Sequence, residues 1–105
     1  MEINIARDYS TTPGARYKKD GPYSGEEFRE KMLEPLFKID SSEKIIINLD
    51  GVEGYSTAFL EEAIGGLVRK FGKDIVKKKL IFISTDEPLL IQEIQSYMEN
   101  AKKWK

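Results

Sequence analysis

The side chains best placed to do chemistry in this 105-residue chain follow one apolar run: Asp50-Gly51-Val52-Glu53-Gly54-Tyr55-Ser56-Thr57 comes directly after Ile45-Ile46-Ile47-Asn48-Leu49. The run itself is nearly all β-branched, the pattern of a strand covered on both faces. Open α/β sheets carry their sites at the carboxyl ends of such strands. A hydroxyl at Ser56 or Thr57 has two uses there. It caps the helix that follows, a contribution of about 1 kcal/mol, or it accepts a phosphoryl group, whose charge suits the free amides and dipole of a helix start. Both uses require the same local backbone.

Other chemistries are restricted by what is missing. Cysteine and histidine are both absent. No disulfide, thiolate nucleophile or zinc-thiolate site can form, and the Ser/His and Cys/His nucleophile pairs are excluded with the usual neutral-pH base and the commonest transition-metal ligand. An enzyme built on this chain would need carboxylates such as Asp50 or Glu53 to converge on a closed pocket, so the expectation is a protein that is not an enzyme. Gly51 and Gly54 do not fall into GxGxxG spacing, and GxxxxGK[ST] is absent. The carboxylates lack the alternation of a calcium loop. No cofactor and no metal is expected.

The elements that must position Ser56 and Thr57 are legible from periodicity. Phe59, Leu60, Ala63, Ile64, Leu67, Val68 and Phe71 recur at the three-and-four spacing of one buried helix face. Turning that face inward leaves Ala58, Glu61, Glu62, Gly65 and Arg69 outward, with Gly66 at the flank. Each interior helix glycine costs about 1 kcal/mol relative to alanine, so the pair asks for a reason. Close approach by a partner supplies one; a neighbouring segment of the same chain supplies the other. Leu80-Ile81-Phe82-Ile83 reads as a second buried strand, parallel to the first across this helix.

The flanks complete one domain over residues 1–105. Ile3 and Ile5 alternate as a first strand. Pro13-Gly14 suits a type II turn, and Arg7–Ser10 is expected to pair with Ala15–Lys18 across it as a hairpin. Ser24 followed by Glu27 is a capping-box start for a helix carrying Phe28, Met32 and Leu33, and Pro35 is expected to end or kink it. A last helix opens near Thr85-Asp86-Glu87-Pro88 and buries Leu90, Ile91, Ile94, Tyr97, Met98 and Ala101, with Lys102 and Lys103 suited to its negative end.

Charge and hydropathy narrow the partners. Seventeen basic and eighteen acidic residues leave a net charge of −1, which gives no general attraction to nucleic acid or anionic membrane. Arg7, Arg16, Lys18 and Lys19 interleave with Tyr9, Tyr17 and Tyr23, a pattern that can track a phosphate backbone. Asp8, Asp20, Glu26 and Glu27 flank it, so a nucleic-acid or nucleotide-binding module is the alternative and not the expected reading. No stretch reaches the roughly 20 apolar residues of a membrane span, and the first eight residues lack a secretory apolar core. A cytoplasmic location is the expectation.

Ser24-Gly25-Glu26-Glu27-Phe28-Arg29, Ile45 to Asp50, Phe59-Leu60-Glu61-Glu62-Ala63-Ile64-Gly65-Gly66-Leu67-Val68-Arg69 and Glu87-Pro88-Leu89-Leu90 follow one another in the order seen in the STAS-like domains of unknown function, which the chain resembles. That family is similar to the anti-sigma-factor antagonists, which dock a kinase-like ATPase and release it when a serine at the start of the helix after the central strand is phosphorylated. The resemblance implies an α/β, STAS-like fold: a mixed sheet of about four strands with an N-terminal hairpin and a parallel core, packed by about three helices. It further implies a protein-binding regulator that uses Ser56 and Thr57 as switch residues. Contact would run through Asp50, Gly54, Tyr55, Ala58, Glu61, Glu62, Gly65, Gly66 and Arg69. The antagonists have aspartate directly before their serine pair, where this chain has Tyr55. Without the extra strand and helix of longer STAS domains, an exposed sheet edge would be left for a partner or a second copy, so a homodimer is also expected.

Overall fold

Alternation along three short runs decides which side of the sheet is hidden. In the computed structural model, which describes residues 1–39 and 42–101, β1 (Glu2–Asn4), β2 (Ile45–Asn48) and β3 (Leu80–Ile83) form one sheet in the order β1-β2-β3. All three strands are parallel, with Ile3 beside Ile47 and Ile47 beside Phe82. Ile3, Ile45, Ile47 and Leu80 are buried in the core. Because neighbours on a strand face opposite ways, Ile46, Asn48, Ile81 and Ile83 look to the other side. That side is less well covered: Ile46 and Ile83 are half-buried and Ile81 is 43% exposed.

The expected hairpin and fourth strand are not present among the described residues, and the sheet is parallel and not mixed. Arg7 and Asp8 belong instead to α1 (Ile5–Asp8). Asn4 Oδ1 accepts from the Arg7 amide at 2.9 Å, and Asp8 Oδ2 accepts from the Asn4 amide at 2.9 Å. Two short polar side chains thus give the backbone a helical alternative to continuing the strand. Gly14 does not take a positive φ, so Pro13-Gly14 is not a type II turn. Residues 14–24 fold back as a loop with a single 3-10 turn at Lys18–Asp20. Its far end is tied where the Gly25 amide donates to Ala15 O at 2.8 Å and the Glu26 amide to Arg16 O at 3.0 Å.

The three expected main helices are present, with α1 and a further short helix added. Helix α2 (residues 25–37) starts where Ser24 Oγ accepts from the Glu27 amide at 3.0 Å. Its hydrogen-bond ladder widens to the π form over Arg29–Leu33 and returns to α over Glu34–Phe37. The wide turn lies just ahead of Pro35, where an ordinary ladder would lose a bond and meet the ring. The helix therefore continues through the proline.

Helix α3 (residues 57–71) likewise has a π segment, Glu61–Gly65, between α-helical ends. It packs between α2 and α5 (Leu89–Asn100), and Phe59, Leu60 and every residue from Glu62 to Val68 are buried. Gly25 explains how close α2 comes: a Cβ there would lie 2.5 Å from the Phe59 carbonyl oxygen and 3.1 Å from Glu62 Cβ. Gly72, at φ 94°, breaks the chain after Phe71, and α4 (Lys73–Lys79) follows. Lys77, Lys78 and Lys79 thus form the last turn of a helix, where cations suit the dipole. Within α5, Leu90, Ile94 and Met98 are buried. Lys102 and Lys103 lie outside the described residues, and no described helix is long and apolar enough to cross a membrane.

Candidate functional site

The carboxyl ends of β2 and β3 are joined by carboxylates that accept backbone bonds. Asp50 Oδ1 accepts from the Thr85 amide at 2.8 Å and the Asp86 amide at 2.9 Å, and Oδ2 accepts from the Thr85 hydroxyl. Asp86 Oδ2 returns the arrangement by accepting from the Gly51 amide at 3.1 Å. These bonds hold the Asp50 carboxyl below its ordinary value, the Asp86 amide first and Thr85 next. Asn48 Oδ1 accepts from the Asp50 amide, and the Tyr55 hydroxyl donates to Leu49 O at 2.8 Å. Burial, with Asp50 nearby, raises the Tyr55 phenol far above its usual range, so Tyr55 works as a brace and not as an acid or base near neutral pH.

Ser56 is the N-cap of α3. Its Oγ accepts from the Phe59 amide at 3.0 Å and donates to Gly14 O at 2.7 Å. The capping use is therefore realised at Ser56, whose hydroxyl proton and one lone pair are both engaged. Thr57, one residue on, is exposed. Gly54 is open too, with nothing within 4 Å of an added Cβ. Asp50, Gly54, Tyr55, Ser56 and Thr57 thus share one end of the molecule, next to Thr85, Asp86, Glu87 and the 68%-exposed Leu89.

The helix residues Glu61, Glu62, Gly65, Gly66 and Arg69 are brought together, but not on an open face. Glu62 and Gly65 are buried, which corrects their outward placement, and Gly66, expected at the flank, is buried with them. The cover is the chain's own charge. Arg29, only 5% exposed, donates from Nη1 to Glu62 O at 2.8 Å and to Glu62 Oε2 at 2.5 Å, and from Nε to Glu34 Oε2 at 2.9 Å. Lys70 Nζ pairs with Glu34 Oε1 at 2.7 Å. Glu61 takes Arg16 at 2.6 Å and Arg69 at 2.6 Å.

Gly66 makes room for Arg29: a Cβ would lie 2.9 Å from Arg29 Cδ and 3.0 Å from Cζ, with Nη1 nearer still. Gly65 lies under the Glu61 carboxylate, whose Cδ would be 3.1 Å from its Cβ, and Arg69 Nη1 would be at 3.3 Å. Of the two reasons open for the glycines, the geometry realises the intramolecular one. Burial pushes the Glu34 carboxyl up, but bonds from Lys70 and Arg29 outweigh it and the net direction is down. Arg69, helped by Arg16, lowers Glu61.

A cleft of about 450 Å³ lies over this cluster, lined by Arg16, Tyr17, Glu26, Arg29, Glu61, Glu62 and Arg69. Its three arginines face three glutamates, so it presents paired charge and no free cation set for an anion. Three of the four basic N-terminal side chains are paired in the same way, Arg16 with Glu61, Lys18 with Glu30 at 2.5 Å and Arg7 with Asp8 at 2.8 Å, while the Lys19 ammonium lies 5.8 Å from the Tyr17 ring centre.

Sequence reasoning missed Asp86, Thr85 and Leu89 at the loop end, and Arg29 and Glu34 in the network. The paired helix glycines were the available signal for Arg29, since they require some group to lie close. Thr85 and Asp86 gave no such signal, because their role is set by a partner 35 and 36 residues away.

No curated protein and no solved structure gives a significant match to the chain. The profile of the STAS-like domain of unknown function matches residues 24–90, from the cap of α2 to the first turn of α5, and so takes in the glycine contact, β2, β3 and the braced loops. The chain belongs to this family of STAS-like domains.

Proposed function

We propose that the protein is a non-catalytic docking module whose contact surface is the pair of loops at the carboxyl end of the sheet, residues 50–57 and 84–89. The observation that carries this reading is the reciprocal Asp50–Asp86 bracing, which fixes two loops in one shape before any partner arrives. Pre-organisation of this kind lowers the ordering cost of association. Asp50, Glu53, Asp86 and Glu87 make the surface acidic, and Leu89 stands in it largely exposed. Such a surface suits a partner with a basic rim around an apolar seat. A kinase-like ATPase, the partner class of the related antagonists, is our candidate.

The buried face of α3 has no part in this docking, since Glu62, Gly65 and Gly66 are covered by α2 and Arg29. Thr57 is the better switch residue. It is exposed in the first turn of α3, whereas a phosphoryl group on Ser56 would cost the bond to Gly14. A phosphoryl group at Thr57 would add charge to an already acidic surface, at a helix start whose dipole favours an anion.

The test is affinity capture from the native cell with the wild-type chain, Leu89→Lys, Thr57→Glu and the remote control Lys31→Glu. A kinase-like ATPase retained by wild type and control but lost with Leu89→Lys supports the reading, and its loss with Thr57→Glu supports the switch. Equal retention by all four chains refutes the surface.

A further inference from the structure

We propose that a second copy of this chain pairs with it through β3, antiparallel, joining two three-stranded sheets into one of six strands. Strand β3 ends the sheet order, and its ladder partner is β2 alone among the described residues. Its four residues, Leu80-Ile81-Phe82-Ile83, include no charge and no proline, the usual devices that blunt an edge. Beside that edge, toward α5, runs a groove of about 280 Å³ lined by Lys77, Leu80, Ile81, Phe82, Ile91, Gln95 and Met98. An added strand would find both backbone groups to bond and apolar surface to cover.

The edge is complementary to itself. A two-fold axis normal to the sheet keeps each face on its own side, so residues opposite each other must have the same parity. Placing the axis at Phe82 sets Phe82 opposite Phe82 of the second copy and Ile81 opposite Ile83. The less-covered face then gains a continuous row of isoleucines across the junction. Placing it at Ile81 would instead set Lys79 opposite Ile83. The Phe82 register also brings the basic end of α4, with Lys77 and Lys78, toward Asp86 and Glu87 of the second copy. The side chains of Lys78 and Glu87 make no ion pair within the chain among the described residues, so each is available. A parallel in-register addition would bring lysine to lysine.

Three strand residues of each copy and their flanks cover less than a standard interface, so the dimer is weak, with a dissociation constant of about 10–1,000 µM. Sedimentation equilibrium of the full chain over this range tests it. The wild type is expected to move from monomer to dimer mass. Ile81→Lys, at an exposed position, is expected to remain monomeric with an unchanged circular dichroism spectrum. Lys78→Glu and Glu87→Lys are each expected to weaken the dimer about fivefold, and the double variant to restore it. A chain that stays monomeric at millimolar concentration overturns the proposal. A dimer indifferent to Ile81→Lys, or one in which the charge-reversed double is no better than the singles, overturns it as well.

Discussion

Gly65 and Gly66 are adjacent, helical and buried, yet replacing each with alanine should move stability in opposite directions. Both have ordinary helical φ values near −60°, so alanine brings about 1 kcal/mol of helix propensity at either position. At Gly66 the new methyl group meets the whole end of Arg29, with Cδ at 2.9 Å and Cζ at 3.0 Å. Arg29 has no free space to enter, since three bonds hold it at 5% exposure.

Displacing Arg29 strips a partner from two buried carboxylates, which costs about 3–5 kcal/mol when a pair is broken outright. Glu34 keeps Lys70 and Glu62 keeps Arg16 at 3.5 Å, so the lower figure applies. The net for Gly66→Ala is a loss of about 2 kcal/mol, a fall in Tm of roughly 8–16 °C for a domain of this size. At Gly65 the methyl group meets the tip of Glu61, a side chain 24% exposed that can swing outward. Gly65→Ala should therefore lie between neutral and about 1 kcal/mol more stable. Urea unfolding followed by circular dichroism at neutral pH separates the two. Repeating Gly66→Ala on an Arg29→Ala chain, which removes both the guanidinium and Cδ, should turn its effect favourable. If Gly66→Ala is as stable as wild type, or if its cost is the same with and without the guanidinium, the account of the glycines is wrong.

Three further outcomes are expected. Gly25→Ala places a methyl group 2.5 Å from the Phe59 carbonyl oxygen, a backbone atom that cannot turn aside, and should cost about 1–3 kcal/mol in the same unfolding assay; an unchanged midpoint would count against the close helix approach. Asp50→Asn should weaken the acceptors of the Thr85 and Asp86 amides, so hydrogen exchange at these two positions should speed up while the β2 core stays protected, and equal rates would remove the loop brace. The carboxyls of Glu34, Glu61 and Asp50 are held below ordinary values of 4.5, 4.5 and 3.8. Their contribution is thus present above those values and lost as pH falls toward the depressed ones. The urea midpoint should be level at higher pH and decline once pH drops below about 4.5, with a shallower decline in Glu34→Gln; a midpoint that rises with acid contradicts the ion-pair assignment.

The parts of the fold that depend on neighbours in sequence could be read from it. Ser24 caps α2 and Ile45–Asn48 forms the central strand, while α3 buries its expected face except for the half-buried Phe71, and α5 buries Leu90, Ile94 and Met98 but leaves Ile91, Tyr97 and Ala101 half-buried. Errors arose where a distant group intervened. An even 3.6-residue period turns Glu62 and Gly65 of α3 outward, but the ladder widens over Glu61–Gly65 and α2 lies against that side. Arg29 sits among Glu26, Glu27, Glu30 and Lys31 and looks like one more solvated helix cation. Only its contact 33 residues away reveals it as a core residue. The hairpin failed for the opposite reason, because Asn4 and Asp8 satisfy the backbone locally. The carboxyl-end turn was placed correctly by topology, and its loop partner was invisible because strand order does not show which side chain will cap which amide.

The salt network over Gly66 also has a bearing on how this domain can be altered. Positive and negative groups alternate from Arg16 through Glu61, Arg69, Glu62, Arg29 and Glu34 to Lys70, and sliding α3 by a turn would put Phe59 or Gly66 in place of Glu62 and leave the buried Arg29 without that partner. Helices α2 and α3 are therefore keyed to a single alignment, and a chimaera that imports one of them from a relative will fold well only if it imports the other as well.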